Sequence, residues 1–290
     1  MLPNANMTNI MNRKLTLMAT ALTLLAATCR ADDLADKGRD IFKKNRLAVV
    51  TVQVVVKMSA TGGERSTTPR ESKQDLTGTV IDPSGLTVLA LSAADPAELY
   101  RRMSDEYKIE SQINEVKILL DDGTELPAEI VLRDKDLDLA FVRPKTKPSA
   151  PMTAVDLSKS AVVEILEPVI ALNRLNRAAG RAYSAAAERI DAVIQKPRTF
   201  YIPESGASSA SLGSPAFALN GDIVGIFVMR AVSAGETSGR NIRENMTVIL
   251  IPAQDILKGA KQAPEAKGDA DKPADKPAQT KDQKDGKDQK

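Results

Sequence analysis

Residues 76–91 have the sequence LTGTVIDPSGLTVLAL, which gives the clearest strand signal in the chain. Two runs of apolar and β-branched residues, Leu76–Ile81 and Leu86–Leu91, flank the sequence Asp82-Pro83-Ser84-Gly85. β-Branched residues favour strands, and Pro followed two positions later by Gly is typical of a tight turn. The stretch therefore predicts two antiparallel strands joined by a short turn.

The same pattern continues on both sides of this stretch. Further strands are predicted at residues 47–58, 116–120, 128–132, 139–142, 216–219, 223–228 and 247–251. Gly-containing turns at residues 121–123 and 220–221 join four of them into hairpins. Helical patterns are few, at residues 34–45, from Asp95-Pro96 onward, and at residues 253–257. Many short strands at this density predict an all-β barrel or sandwich.

The two ends of the chain differ from its centre. Residues 1–31 combine a basic start at Arg13 and Lys14, an uncharged apolar run and small residues before Asp32. That order is typical of a signal peptide, so we expect an exported, periplasmic or secreted bacterial protein. Lipidation at Cys29 is the less favoured processing route. No later stretch is long enough to span a membrane.

Residues 259–290 are dominated by Lys, Asp, Ala, Pro and Gln. A segment of this composition cannot bury enough apolar surface to offset its ordering entropy, so we expect a disordered tail. A spacer is favoured over a tether to cell-wall polymers. The globular part is then residues 32–258.

Composition excludes many kinds of chemistry. The chain has no histidine, which excludes a His base, a His metal ligand and a Ser-His-Asp triad. Its one cysteine, Cys29, excludes an internal disulfide and a Cys-rich zinc site. No Gly-x-Gly-x-x-Gly run is present, and we expect no cofactor and no metal. Without Arg13, Lys14 and Arg30 the mature chain carries 37 basic and 38 acidic residues, a balance that does not favour nucleic acid as a partner.

Four segments in order resemble the trypsin-like serine proteases of the HtrA (Deg) type. They are Gly78–Gly85, the hairpin from Val116 to Ala140, the region from Ser211 through Asn220-Gly221 to Ile226, and the strand Val248–Pro252. The resemblance implies two six-stranded antiparallel β-barrels, at about residues 47–145 and 160–257, with a cleft between them. We expect no PDZ domain of the kind that usually follows in this family, since only the tail comes after residue 258.

The resemblance also locates the catalytic positions. The family's His falls on Ser92, its Asp on Asp138 and its nucleophilic Ser on Leu212. Ala210 and Ser214 replace glycines of the nucleophile loop, which alters the backbone that would form an oxyanion hole. Two of the three triad members are therefore missing.

Two function classes stay open. The first is an exported pseudoprotease that binds a peptide, a protein or an envelope component. The second is a divergent serine hydrolase in which Ser92, Ser211 or Ser214 acts as a substitute nucleophile, with Lys159 or Lys196 as a base brought close by the fold. The first is favoured.

One segment departs from the family. Arg174, Arg177 and Arg181 are spaced by three and four residues and precede an Ala-rich run at residues 183–187. A helix here would place the three arginines on one face, where they could bind an anionic partner. A solvated basic loop is the favoured alternative.

Overall fold

The computed structural model of the protein describes residues 33–62, 65–66, 69–98, 108–204, 212–231 and 246–265. The predicted signal peptide with Cys29 lies outside these ranges, as does the tail from residue 266. Export, lipidation and disorder of the tail therefore stay predictions. Among the described helices, none combines the length and the apolar character needed to cross a membrane.

Strands make up most of the described chain. They are β1 Val49–Gly62, β2 Arg65–Ser66, β3 Arg70–Val80, β4 Thr87–Ala90, β5 Lys108–Leu119, β6 Glu125–Asp134, β7 Leu139–Pro144, β8 Pro168–Arg174, β9 Tyr183–Ile194, β10 Phe200–Pro203, β11 Pro215–Ala218, β12 Ile223–Ala231 and β13 Met246–Pro252. The helices are α1 at residues 33–45, α2 Leu91–Ala94 and α3 Ala253–Ala260, and residues 96–98 are also helical. The helices predicted at residues 34–45 and 253–257 are confirmed. The helix predicted from Asp95 is described only over residues 96–98, and its continuation lies outside the described residues.

Two closed barrels result. In the first, the order is β1-β3-β4-β7-β6-β5, and antiparallel pairing of β5 with β1 closes it, while β2 pairs only with the end of β1. In the second, β10-β13-β12-β11-β8-β9 closes through the pairing of β9 with β10. The prediction of two six-stranded antiparallel barrels is confirmed, and the sandwich alternative is wrong.

Each barrel encloses its own apolar core, and a third core joins them. Val52, Leu89 and Ile118 belong to the first barrel's cluster, and Tyr201 and Phe227 belong to the second's. The third cluster is formed by the outer faces of both barrels together with α1 and α3 (among them Ile41, Phe141, Leu172, Ile226 and Ile256). The apolar run of β4 follows from this, since every one of its side chains is buried, either inside the first barrel or between the barrels.

Strands β8, β9 and β10 were not predicted from the sequence. In β9, Ala185, Ala186 and Ala187 are all exposed, so the apolar and polar alternation of a half-buried strand is missing. Its position is set by pairing with both neighbours, for example Ala186 with Ala171 of β8 and Val193 with Tyr201 of β10. Tertiary pairing, which alanine propensity does not reveal, therefore determines this part of the second barrel.

Candidate functional site

Asp138 lies in the tight turn between β6 and β7. The Asp134 carboxylate begins this turn by accepting hydrogen bonds from the backbone N–H groups of Asp136 and Leu137, at 3.1 and 3.0 Å. Asp138 itself has a φ of 56°, a left-handed conformation that Asp tolerates better than most residues. The turn leaves its side chain buried, with 5% of its surface exposed.

Ser92, in α2 directly after β4, is the hydrogen-bond partner of this carboxylate. The Ser92 backbone N–H donates to Asp138 Oδ1 at 2.8 Å, and the Ser92 hydroxyl donates to Oδ2 at 2.8 Å. The backbone N–H of Met229, in β12, donates to Oδ2 at 3.0 Å. Asp138 thus accepts three hydrogen bonds and links the first barrel to the second.

Leu212 is the residue that the resemblance places at the nucleophile position. Its side chain is buried in the apolar cluster between the barrels. An alkyl group has neither a proton to transfer nor a lone pair to attack a carbonyl carbon. This position therefore contributes packing and no nucleophile.

Gly213, the next residue, lies close to the first barrel. Its φ is +88°, and a Cβ atom added there would lie 2.1 Å from the carbonyl oxygen of Thr77 in β3. The Thr79 hydroxyl donates to the Gly213 carbonyl at 2.8 Å, and the Gly213 N–H donates to the Phe227 carbonyl at 2.7 Å. Only glycine fits both the conformation and the space.

The other serines considered as nucleophiles differ in position. Ser214 is completely buried, and its hydroxyl has no hydrogen-bond partner among the described residues. Ser211 and Ala210 lie outside the described residues. Lys159 and Lys196 are both exposed, so neither is desolvated in the way that a lysine base requires.

The helical interpretation of the arginine segment is wrong. Arg174 ends β8, a single 3₁₀ turn covers Arg177–Ala179, and Gly180 and Arg181 adopt φ values of 63° and 53° before β9 begins. Asn176 caps the turn by accepting a hydrogen bond from the Ala179 N–H at 3.2 Å. The segment is therefore a loop whose conformation is set by its turn residues.

The anions facing these arginines belong to the first barrel. Arg181 donates to Asp75 Oδ2 from Nε at 2.8 Å and from Nη2 at 2.7 Å, and Arg177 Nε lies 3.9 Å from the same oxygen. Arg174 Nη1 lies 3.5 Å from Asp121 Oδ1. The loop thus fastens the second barrel to β3 and to the turn after β5.

Asp75 belongs to a polar layer on the outside of the first barrel. Thr51 pairs with Thr77 and Gln53 with Asp75 across β1 and β3, so all four side chains point the same way. Thr51, Gln53 and Thr77 are buried beneath the arginine loop, and the Thr77 hydroxyl donates to Asn173 Oδ1 at 2.6 Å. The alternation of Thr51 and Gln53 with valines was the sequence signal for this layer, and our sequence analysis missed it.

The Asp75 carboxylate is stabilised in its charged form. Burial alone would raise its pKa, but the hydrogen bonds from Gln53 and Arg181 and the positive charges of Arg181 and Arg177 lower the pKa below the ordinary carboxyl value. Asp75 is therefore ionised at neutral pH and holds the loop in place.

A pocket of about 80 Å³ lies between the polar layer and the arginine loop. Its lining includes Thr51, Thr77, Ala93, Arg174, Asn176 and Leu212. Ala93 follows Ser92, so this pocket lies beside Ser92 and Leu212, two of the positions to which the resemblance assigns catalytic residues. Among the described residues, no three His, Cys, Asp or Glu side chains are grouped in a way that could hold a metal ion.

Known proteins similar to this chain were found among family models and among solved structures. A family model described as a trypsin-like peptidase domain matches residues 44–226. Among solved structures, the chain is similar to the apo form of the MamO protease domain from Magnetospirillum magneticum, with 17% identity and a TM-score of 0.46. That match covers 75% of this chain and 98% of the other. A comparison with curated protein sequences gives no match.

The family model covers the first barrel and the second barrel as far as the start of β12, and it ends before β13. Its match covers more than half of the 290 residues. This chain belongs to the trypsin-like peptidase domain family.

Proposed function

We propose that this protein is a non-catalytic member of the family that binds a peptide or protein segment in the cleft between its barrels. The observation that carries the proposal is the Ser92–Asp138 pair. The carboxylate that would orient a histidine accepts instead two hydrogen bonds from Ser92 and one from Met229. No histidine exists anywhere in the chain to take up the base's role.

The remaining groups do not supply an alternative hydrolase. Attack by a serine requires a base that accepts its proton and a hydroxyl that reaches the substrate. The Ser92 hydroxyl is buried and donates to the Asp138 carboxylate, and a carboxylate is a weaker base than the imidazole that activates the serine in a triad. Loss of triad members leaves roughly a 10³–10⁴-fold acceleration from the oxyanion hole and binding alone. Replacement of loop glycines by Ala210 and Ser214 argues against even that remainder.

Binding is the property that the fold can retain without the triad. The barrels, the cleft and the pocket beside Leu212 are all present in this chain although it has no histidine. The proposal includes export through the predicted signal peptide. The binding partner would then be a component of the periplasm, the envelope or the medium.

A fluorophosphonate distinguishes the two function classes. The mature chain, residues 32–290, is incubated with the probe beside active trypsin, and intact masses are recorded. We expect trypsin to gain one adduct and this protein to keep its mass. A stoichiometric adduct mapped to Ser92, Ser211 or Ser214 would overturn the non-catalytic assignment in favour of a serine hydrolase.

A peptide array tests the binding part of the proposal. The mature chain is compared with Ala93→Arg, which fills the pocket beside Leu212, and with Gln195→Arg, an equal change of charge at an exposed position after β9. Peptides bound by the wild-type protein and by Gln195→Arg should be lost with Ala93→Arg. Equal binding by all three proteins would exclude the cleft as the binding site.

A further inference from the structure

Arg174 is a buried cation with an incomplete set of partners. Its side chain is only 9% exposed, and its ion pair with Asp121 is long, at 3.5 Å. Its guanidinium carbon lies 4.0 Å from the centre of the Tyr183 ring. The Nε–H group is buried and has no hydrogen-bond partner among the described residues. A buried charge with one distant carboxylate is costly, because little replaces the water it has lost.

A second incomplete group lines the same pocket. Thr51 is 2% exposed, and its hydroxyl also has no hydrogen-bond partner among the described residues. The large majority of buried polar atoms have a hydrogen-bond partner. Two residues with unpartnered buried atoms around one pocket therefore require an explanation. A ligand that accepts hydrogen bonds from both would supply it.

The charges around the pocket favour an anion. Asp75 is engaged by Arg181 and Arg177, and Asp121 is more than half exposed, so neither carboxylate neutralises Arg174 closely. Asp75 also lines the pocket, which makes a doubly charged phosphate less suitable than a singly charged group. A carboxylate has one charge and two oxygens in a plane, the geometry that matches a guanidinium fork.

We propose that the pocket binds a carboxylate group of a peptide lying in the cleft, with Arg174 as its cationic ligand and Thr51 as a second donor. The volume of about 80 Å³ accommodates the carboxylate and its adjoining carbon. The Arg174 Nε–H edge is covered in this structure, so binding requires the side chain to turn toward the pocket. That turn exchanges the 3.5 Å contact with Asp121 for a closer acceptor. The inference rests on the proposed function, since a ligand held here must stay uncut.

The test follows the Nε–H signal of Arg174 by ¹H–¹⁵N NMR of the mature chain. The probes are acetyl-Ala-Ala with a free terminal carboxylate, its C-terminal amide, acetyl-Ala-Asp-amide with only a side-chain carboxylate, and inorganic phosphate. We expect a saturable shift of the Arg174 signal with acetyl-Ala-Ala and no shift with its amide. A shift with acetyl-Ala-Asp-amide instead would identify a side-chain carboxylate as the source and support the same chemistry.

Variants separate Arg174 from its neighbours. Arg174→Gln should abolish binding of the carboxylate probe. Binding to this variant is measured by the shifts of the backbone amide signals around Thr51 and Leu212. Arg198→Gln removes an exposed arginine, after β9, that does not line the pocket and should leave the affinity unchanged. Arg174→Lys keeps the charge without the fork, so it should weaken binding at least about tenfold and serves where Arg174→Gln does not fold.

The overturning results are distinct from those of the proposed function. A shift with phosphate alone, equal shifts with the acid and the amide, or no shift with any probe would overturn the carboxylate site. The last result would mean that the pocket holds only water. A fluorophosphonate adduct would overturn the non-catalytic assignment and leave the NMR result as it stands.

Discussion

The Ser92 hydroxyl donates a hydrogen bond to Asp138 Oδ2 over 2.8 Å, at the two positions where the family's resemblance places a histidine and its aspartate. Ser92 lies after β4 of the first barrel, and the same oxygen also accepts from Met229 N–H in β12 of the second. The carboxylate thus holds the barrels together at the point where an active protease would orient its base. The predictions below start from this link.

Removal of the Asp138 charge should cost more stability than removal of the Ser92 hydroxyl. Ser92→Ala deletes one hydrogen bond and should lower the free energy of unfolding by about 0.5–1.5 kcal/mol. Asp138→Asn tolerates the left-handed backbone but places an NH₂ group against a backbone N–H donor, that of Ser92 in one amide orientation and that of Met229 in the other, so a loss of about 1–3 kcal/mol is expected. Urea denaturation measures the free energy of unfolding of both variants. An Asp138→Asn variant as stable as the wild type would contradict the structural role of the carboxylate.

A serine at position 212 should destabilise the protein without creating a nucleophile. Leu212→Ser replaces a buried alkyl group in the cluster between the barrels, and the loss should resemble the ~2–5 kcal/mol of a buried Leu→Ala change. Leu212→Met, which nearly conserves volume, should cost less than about 1.5 kcal/mol. Denaturation and fluorophosphonate labelling are measured on the same samples, and labelling of Leu212→Ser would show that a base is present after all.

Two glycines with the same backbone conformation should respond differently to alanine. Gly213 and Gly221 have φ values of +88° and +86°, but only at Gly213 would a Cβ atom meet another residue, 2.1 Å from the Thr77 oxygen. Gly221→Ala should cost about 1–2 kcal/mol from the conformation alone. Gly213→Ala adds overpacking of at least about 1–3 kcal/mol. Equal losses in urea denaturation would contradict the close approach of β3.

The contacts of Asp75 with Arg181 and Arg177 should make the free energy of unfolding fall in acid. Its pKa is lowered in the folded protein, so its stabilisation is present above the ordinary carboxyl pKa of about 3.9 and is lost as the pH falls through the folded-state pKa. Asp75→Asn should therefore lose about 1–3 kcal/mol at pH 7. The difference from wild type should shrink below about pH 3.9, as thermal unfolding across pH would show. A difference that stays constant with pH would contradict the charge-based link.

Glu188 should have the opposite pH dependence. Burial and the nearby Glu204 raise its pKa, and its Oε2 atom has no hydrogen-bond partner among the described residues. A raised pKa means that the folded state binds the proton more tightly, so stability is lost as the pH rises from the ordinary value near 4.3 through the folded-state pKa. Glu188→Gln should raise the melting temperature at pH 7 and leave it nearly unchanged at pH 4. Glu129→Gln is a matched control on β6.

The first barrel could be predicted from sequence largely because its strands follow the ordinary rules. Val50, Val52 and Val54 alternate with polar residues, and Pro and Gly occupy the turn between β3 and β4. Strands β8, β9 and β10 carry no comparable pattern. The exposed alanines of β9 have no strand preference of their own, so only pairing with β8 and β10 determines their conformation.

The residues of the candidate site could likewise be predicted from the sequence only in part. The resemblance assigned Ser92, Asp138 and Leu212 to catalytic positions, and that assignment stays a prediction, although the structure brings Ser92 and Asp138 into hydrogen-bond contact. The arginine loop could not be interpreted from spacing, since residues three and four apart share a face only in a helix and this segment is a turn. Its partners, Asp75 and Asp121, lie 106 and 53 positions away from Arg181 and Arg174.

The sequence alone determined the β-rich fold class and the absence of histidine chemistry, because alternation, turn residues and composition act locally and need no partner. The tertiary structure decided what the altered cleft contains. The hydrogen bond from Met229 to Asp138, the contact of Gly213 with Thr77 and the ion pair of Arg174 with Asp121 all join the two barrels. Such contacts depend on how the barrels pack against each other, and residues that are distant in sequence carry no local signal of that packing.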